Sequence, residues 1–265
     1  MKYRFTLLCF AALAILASCN KKNEPENSDA PQNDEAFGTV NDICGNTYKY
    51  VKIGEQYWMA ENMRCNKYDT QSERKGETLS TSRIETYDAP YYTNASDKSK
   101  WRLTEYSGKL SDEQIAKLGY HYSWAAAVGL STAEAAKELT SSFSGNRQGI
   151  CPNGWHVPTN SEWDALGTAL GGKHDGDFPD VGKKLKATSG WYENCNGTDD
   201  HSFAALPAGL AGVGSVDYVG CFAIFWTATI SLNTAYGRYL DYKYDSLDGY
   251  GNRKSYAHSV RCVRN

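Results

Sequence analysis

Gly149-Ile150-Cys151-Pro152-Asn153-Gly154-Trp155-His156-Val157-Pro158 runs straight into Thr159-Asn160-Ser161-Glu162-Trp163-Asp164-Ala165-Leu166, and the segment closes at Gly171-Gly172. Val157 precedes a proline, which pushes it out of the helical region into extended backbone. Thr159 with Glu162 three residues on makes a capping box, in which each side chain satisfies a backbone donor that the helix leaves open. Trp163, Leu166 and Leu170 then fall on one helical face, and Gly171 supplies the stop. A cysteine and a buried-type tryptophan thus lead into a short amphipathic helix, expected to be the core helix of the domain.

Upstream, Thr47-Tyr48-Lys49-Tyr50-Val51-Lys52-Ile53 alternates, Gly54-Glu55 turns, and Gln56-Tyr57-Trp58-Met59 returns, which predicts a hairpin. Residues 66–118 are polar and irregular, with Tyr91, Tyr92 and Trp101 as expected anchors and a short capped helix over 110–118. Residues 119–128 read as a buried helix and 131–139 as an exposed helical insertion. Downstream, 203–209 and 223–229 read as short apolar strands. Residues 236–245 alternate, with Arg238, Leu240, Tyr242 and Tyr244 on one face and Tyr239, Asp241, Lys243 and Asp245 on the other. A Gly/Asp/Asn turn is expected over 248–252, and a final strand over 259–264.

The start of the chain is basic (Lys2, Arg4), then apolar over residues 7–17, then Ser18-Cys19. This predicts a secretory signal over 1–18, since the run is shorter than the ~20 residues a membrane span needs. Leu16-Ala17-Ser18-Cys19 resembles the lipobox of bacterial lipoproteins, so Cys19 is expected to carry lipid. Residues 19–36 hold little to bury and read as a disordered tether. Residues 37–265 remain for one domain, with polar insertions near 66–118 and 129–146. Removing Lys2 and Arg4 takes the basic count from 28 to 26 against 31 acids, near −5. That charge and an exported address argue against a nucleic-acid partner.

Of eight cysteines, Cys9 leaves with the signal and Cys19 takes lipid. Cys44, Cys65, Cys151, Cys195, Cys221 and Cys262 remain, an even number that reads as three disulfides in one of 15 pairings. Proximity in sequence suggests Cys44 with Cys65 and Cys195 with Cys221. There is no CxxC pair, which disfavours a zinc ribbon or a thioredoxin-type redox site.

Several segments together resemble the Fibrobacter succinogenes major paralogous domain, a family of exported bacterial domains. They are Ile53-Gly54-Glu55-Gln56-Tyr57-Trp58-Met59-Ala60-Glu61-Asn62-Met63-Arg64, Tyr120-His121-Tyr122-Ser123-Trp124-Ala125-Ala126-Ala127-Val128, residues 150–158, 203–209, 225–229, and Ser259-Val260-Arg261-Cys262-Val263-Arg264. The resemblance implies an α+β, loop-rich, C-type-lectin-like fold related to formylglycine-generating enzymes, with small antiparallel sheets and two main helices. It also implies a disulfide between Cys151 and Cys262 and an exported, cell-envelope address; with the lipobox, the expected location is the outer membrane. The chain departs from calcium-dependent lectins in lacking Glu-Pro-Asn, Gln-Pro-Asp and Trp-Asn-Asp tripeptides, so their calcium–sugar site is not carried over. The catalytic cysteine pattern of the formylglycine enzymes is also missing.

No assembled catalytic motif stands out, neither His-Glu-x-x-His nor Gly-x-Ser-x-Gly. Asp175, Asp177 and Asp180 with His174 are the nearest approach to a calcium loop, without EF-hand spacing; no cofactor is indicated. His156 reads as a hydrogen-bonded packing residue. The last quarter crowds tyrosines with short polar residues, where the resemblance places a ligand face. Flat aromatic rings stack on sugars while Asp, Asn and Arg bond hydroxyls. Tyr239, Asp241 and Lys243, with Tyr250 and Asn252, are therefore the expected ligand contacts. The expectation is a non-catalytic, lipid-anchored envelope protein that binds a glycan. A structural or adhesin subunit that binds an envelope protein is the alternative, and a glycosidase a third reading.

Overall fold

The computed structural model describes residues 35–81, 92–94, 98, 110–135, 146–173, 177–212, 215–231 and 233–265. The signal, Cys19, the tether up to residue 34, Tyr91, Trp101, His174 and Asp175 lie outside the described residues. No helix among the described residues is long and apolar enough to cross a membrane.

Three small antiparallel sheets organise the chain. The first joins β1 (Phe37–Asn41), β2 (Thr47–Ile53), β3 (Gln56–Met59), β6 (Trp155–His156) and β13 (Val263–Arg264) in the order β1-β2-β3-β13-β6. The second is β11-β10-β9, from β9 (Phe222–Ser231), β10 (Thr234–Asp241) and β11 (Asp248–Arg253). The third, β4-β5-β12-β7-β8, takes β4 (Tyr92–Asn94), β5 (Tyr120–Ser123), β7 (Leu210–Ala211), β8 (Val216–Asp217) and β12 (Ala257–His258). Helices are short: α1 (Asp112–Ala116), α2 (Trp124–Ala127), α3 (Thr132–Ala135), α4 (Asn160–Ala169) and α5 (Val181–Leu185). This is a loop-rich α+β architecture.

The capping box forms as read. Thr159 Oγ1 accepts from the Glu162 N–H at 3.3 Å, and Glu162 Oε2 accepts from the Thr159 N–H at 2.7 Å. The inner face of α4 presents Trp163 and Leu166, with Leu170 at its cap, to Trp58, Phe203, Phe225 and Leu240. Trp163 stacks on Phe225 at 5.5 Å between centroids and tilts against Trp58 at 4.7 Å. Buried indoles elsewhere find carbonyls: Trp124 Nε1 donates to Thr227 at 2.9 Å and Trp226 Nε1 to Tyr122 at 2.7 Å. These two bonds tie β9 to β5 and α2. All three apolar clusters lie within Glu35–Asn265, so that unit carries its own core.

Cys151–Cys262 and Cys44–Cys65 are disulfides, with Cα–Cα separations of 5.9 and 5.7 Å. Cys195 and Cys221 are not bonded to each other; both are thiols. Cys221 is packed into the core beneath β9, whereas the Cys195 sulfur turns back toward the Glu193 carbonyl at 3.9 Å after a 3-10 turn. Nearness in sequence did not translate into facing side chains.

Four other expectations are corrected. Among the described residues only α4 reaches ten residues, because half of the segment expected as a second main helix is β5, paired through Tyr122 and Ser123 with β12. Residues 203–209 hold isolated bridges at Ala205 and Gly209, not a strand. Of the final strand expected over 259–264, Val263–Arg264 forms β13 and Ser259 holds an isolated bridge, while β12 ends before it at His258. Lastly, β10 stops at Asp241 and the turn falls over 242–247, so 248–252 is strand.

Candidate functional site

The β9–β11 sheet has two unlike faces, set by the period of two along β10. Leu240 is wholly buried toward α4, which is the side expected for it. Arg238 is buried on the same side and fastens the sheet to the helix. Its Nε donates to Asn160 Oδ1 at 2.9 Å, and its Nη2 to the Asn160 carbonyl and to Asp164.

The other face carries Tyr239 and Asp241, with Asp248 and Tyr250 from β11. Tyr239 and Tyr250 meet edge to face, centroids 5.4 Å apart and planes at 75°. Tyr250 is 53% exposed, and Tyr239 is half-buried against His258 at 6.4 Å. The Tyr239 hydroxyl donates to Asn252 Oδ1, while Asn252 Nδ2 donates to the Tyr250 carbonyl at 3.0 Å. Gly237 makes this possible, since a Cβ there would sit 2.8 Å from Asn252 Nδ2. Burial pushes the Tyr239 phenol up to about 12, against a downward pull from Asn252.

Three carboxylates act on Tyr250 through space. Asp248, then burial, then Asp177 and Asp241 raise its phenol above the ordinary value. Asp248 is itself raised, first by burial and then, among other pulls, by Asp177 and Asp241. Asp177 Oδ1 accepts from the Gly249 N–H at 3.4 Å. Asp180 heads α5 in a left-handed conformation without capping it, so the two described aspartates of that weak calcium-loop candidate serve different places.

Beyond the end of β10, Asp241 Oδ1 accepts from the Lys243 N–H at 2.9 Å. The exposed Lys243 ammonium lies 5.4 Å from the Tyr242 ring. The turn is gathered on the buried Lys186 ammonium, which donates to the carbonyls of Tyr244 at 2.9 Å and Asp241 at 3.2 Å and lies 3.5 Å from Asp245. Burial lowers the Lys186 ammonium from its ordinary range, opposed chiefly by Asp245. Tyr244 is left 60% exposed at the tip.

A family model described as the Fibrobacter succinogenes major domain matches residues 51–264. The chain belongs to the Fibrobacter succinogenes major domain family. That membership fits a cell-envelope protein, and the match spans the whole β9–β11 sheet. No curated protein and no solved structure matches the chain.

Within this Fibrobacter succinogenes major domain, the five expected contacts divide. Tyr239 and Tyr250 come together as a pair, and Asp241 shares their face. Lys243 lies beyond the strand, in the turn. Asn252 is buried, accepting from the Tyr239 hydroxyl and donating to the Tyr250 carbonyl, so it positions Tyr239. Asp248, which completes the rim, was not singled out from sequence; its place directly across from Tyr239 was hidden by reading 248–252 as a turn. His156 is a packing residue, held by Asn265 at 2.6 Å and Glu162 at 2.7 Å.

Proposed function

We propose that this domain binds an envelope or extracellular glycan on the outer face of the β9–β11 sheet, without calcium and without chemistry. In this reading the fold is C-type-lectin-like, and the protein is held at the bacterial outer membrane by lipid on Cys19. The observation that carries the binding site is the Tyr239–Tyr250 pair: one ring exposed for stacking, the other locked behind it, with carboxylates alongside to accept from sugar hydroxyls. Ordering of Tyr239 before binding lowers the entropy lost on association.

The alternative, a subunit that assembles by strand addition, is less favoured by the edge on offer. Strand β11 reads Asp-Gly-Tyr-Gly-Asn-Arg, charged at both ends and without an apolar run. Stacking on one aromatic contributes about 0.5–1.5 kcal/mol, so the affinity should be weak, roughly micromolar to millimolar.

The test is a glycan array and polysaccharide pull-down with the Glu35–Asn265 fragment, with and without chelator. Tyr250→Ala should weaken binding several-fold while the circular dichroism spectrum is kept, and chelator should change nothing. Binding that survives both Tyr239→Ala and Tyr250→Ala would place the site elsewhere. A protein partner in place of any glycan would favour the assembly reading.

A further inference from the structure

A second site lies away from the aromatic face. A cavity of about 490 Å³ opens between the end of the β2–β3 hairpin, α1 and the loops over 187–189 and 199–206. That volume is within the range of small-molecule sites, about 300–1,000 Å³. Arg261 lines it, although the residue is only 1% exposed. The guanidinium packs over Phe203 at 4.3 Å and Phe225 at 5.3 Å.

Every oxygen that Arg261 bonds is uncharged. Nε donates to Asn62 Oδ1 at 2.9 Å, Nη1 to the Phe203 carbonyl and Nη2 to the Ala204 carbonyl at 2.9 Å. Three of its five N–H groups are thereby used, which leaves one on each terminal nitrogen. Among the described residues no carboxylate forms an ion pair with it. A buried cation without a counter-charge is costly, and burial pushes this one down to about 9, with Asp199 and Glu61 acting only through space to raise it.

The remaining charges of the cavity are mostly engaged. Glu113 pairs with Lys117 at 2.6 Å. Glu61 accepts from the Lys49 N–H at 2.8 Å and lies 3.9 Å from Arg64. Asp199 accepts from the Ala204 N–H at 2.7 Å, and burial raises its carboxyl above the ordinary value. Among the described residues Arg261, the side chain of Lys49 and Asp199 form no ion pair, and Asp199 acts on Arg261 only through space. Hydroxyls of Ser189 and Ser202 and the apolar wall of Leu206, Ala187 and Ala60 complete the lining.

We propose that this cavity binds a small hydroxylated carboxylate, an acidic sugar in size and chemistry, with its carboxylate on Arg261. A planar carboxylate matches the two parallel donors that a guanidinium fork presents. The serines bond ring hydroxyls, and the apolar wall takes the ring's C–H face. The site is independent of the aromatic face, so either can fail without the other.

The probe is sodium glucuronate, titrated into the ¹⁵N-labelled Glu35–Asn265 fragment with glucose as the neutral control. Saturable shifts are expected at the Arg261 Nε–H and at the amides of Ser189 and Ala204, with glucose leaving them in place. Arg261→Lys risks unfolding, so two exposed wall positions carry the test. Ser189→Trp, which fills the cavity, and Lys49→Glu, which reverses its free charge, should each weaken binding at least tenfold. Tyr250→Ala should leave it unchanged. No saturable shift with millimolar glucuronate, equal shifts with glucose, or unchanged binding in Ser189→Trp would each overturn the proposal.

Discussion

Mild acid should destabilise this domain, through two histidines buried without partners. His121 on β5 and His258 on β12 are fully buried, and among the described residues no ring nitrogen of either makes a hydrogen bond. His258 lies against Trp226 at 4.2 Å between ring centroids. Burial pushes His121 down to about 4, opposed by the nearby backbone of Gly209 and Ala208. Burial, and then His121, push His258 down to about 3. Both folded values lie below the unfolded value near 6.5. Between those limits the unfolded chain holds protons that the folded chain refuses, so stability rises with pH. The contribution is fully present above about pH 6.5 and is lost as pH falls toward 4 and then 3.

From pH 7 to pH 5 each histidine removes about 2 kcal/mol, and the two together about 4 kcal/mol. That is a large share of the 5–15 kcal/mol typical of a folded domain. Asp199 and Asp248, raised by burial, carry the opposite sign, so variants are needed to isolate the histidines. Urea unfolding of Glu35–Asn265, followed by tryptophan fluorescence at half-unit steps of pH, measures the slope. His121→Phe and His258→Phe should each remove about half of the loss while keeping stability at pH 7. If the double variant loses as much between pH 7 and 5 as the native sequence, the reasoning is wrong. Ring proton resonances of either histidine that titrate near pH 6.5 in the folded protein would refute it directly.

Two further outcomes are expected. Cys151–Cys262 closes a separation of 111 residues, so replacing both cysteines by alanine should cost about 4–5 kcal/mol by loop entropy; Cys44–Cys65, closing 21, should cost about 3 kcal/mol. Denaturant midpoints of the two double variants check the order, and equal losses would count against it. Cys19→Ala in the full chain should release the protein from membranes or leave its precursor uncleaved, as read by fractionation and mass spectrometry; a soluble mature form with unmodified Cys19 would end the lipid-anchor reading.

Sequence alone yields the hairpin, the capped α4 and the strand that became β9, because each is decided by neighbours within a few residues. The errors share a different cause. Gly249, Gly251 and Asn252 are turn-forming types, yet here they belong to a strand. A Cβ at Gly249 would press on the Arg238 guanidinium at 3.4 Å, and one at Gly251 would sit 2.6 Å from Thr234 Oγ1. These glycines grant close approach across a sheet, a need visible only once the strands are paired. The true turn, over 242–247, lies where the alternation in the sequence continues. It bends because Lys186, 55 residues earlier than Asp241, draws in the carbonyls of Asp241 and Tyr244. A buried ammonium requires such acceptors, but nothing local to Lys186 identifies them.

The same distinction explains the binding face. Tyr239 and Tyr250 were legible as aromatics in a polar setting, but their roles depend on register. Tyr239 pairs with Asp248, which brings Tyr250 diagonally onto the same face and aims Asn252 across Gly237 at the Tyr239 hydroxyl. A slip of β11 by one residue would send Tyr250 toward α4, and a slip of β10 would leave the buried Arg238 facing solvent. Arg238, through Asn160 and Asp164, therefore does more than join sheet to helix: it fixes which side of β10 faces outward. Asn252 then holds one tyrosine still so that the other can be exposed beside it. Of the five ligand contacts expected from sequence, the buried one is thus the one on which the geometry of the pair depends.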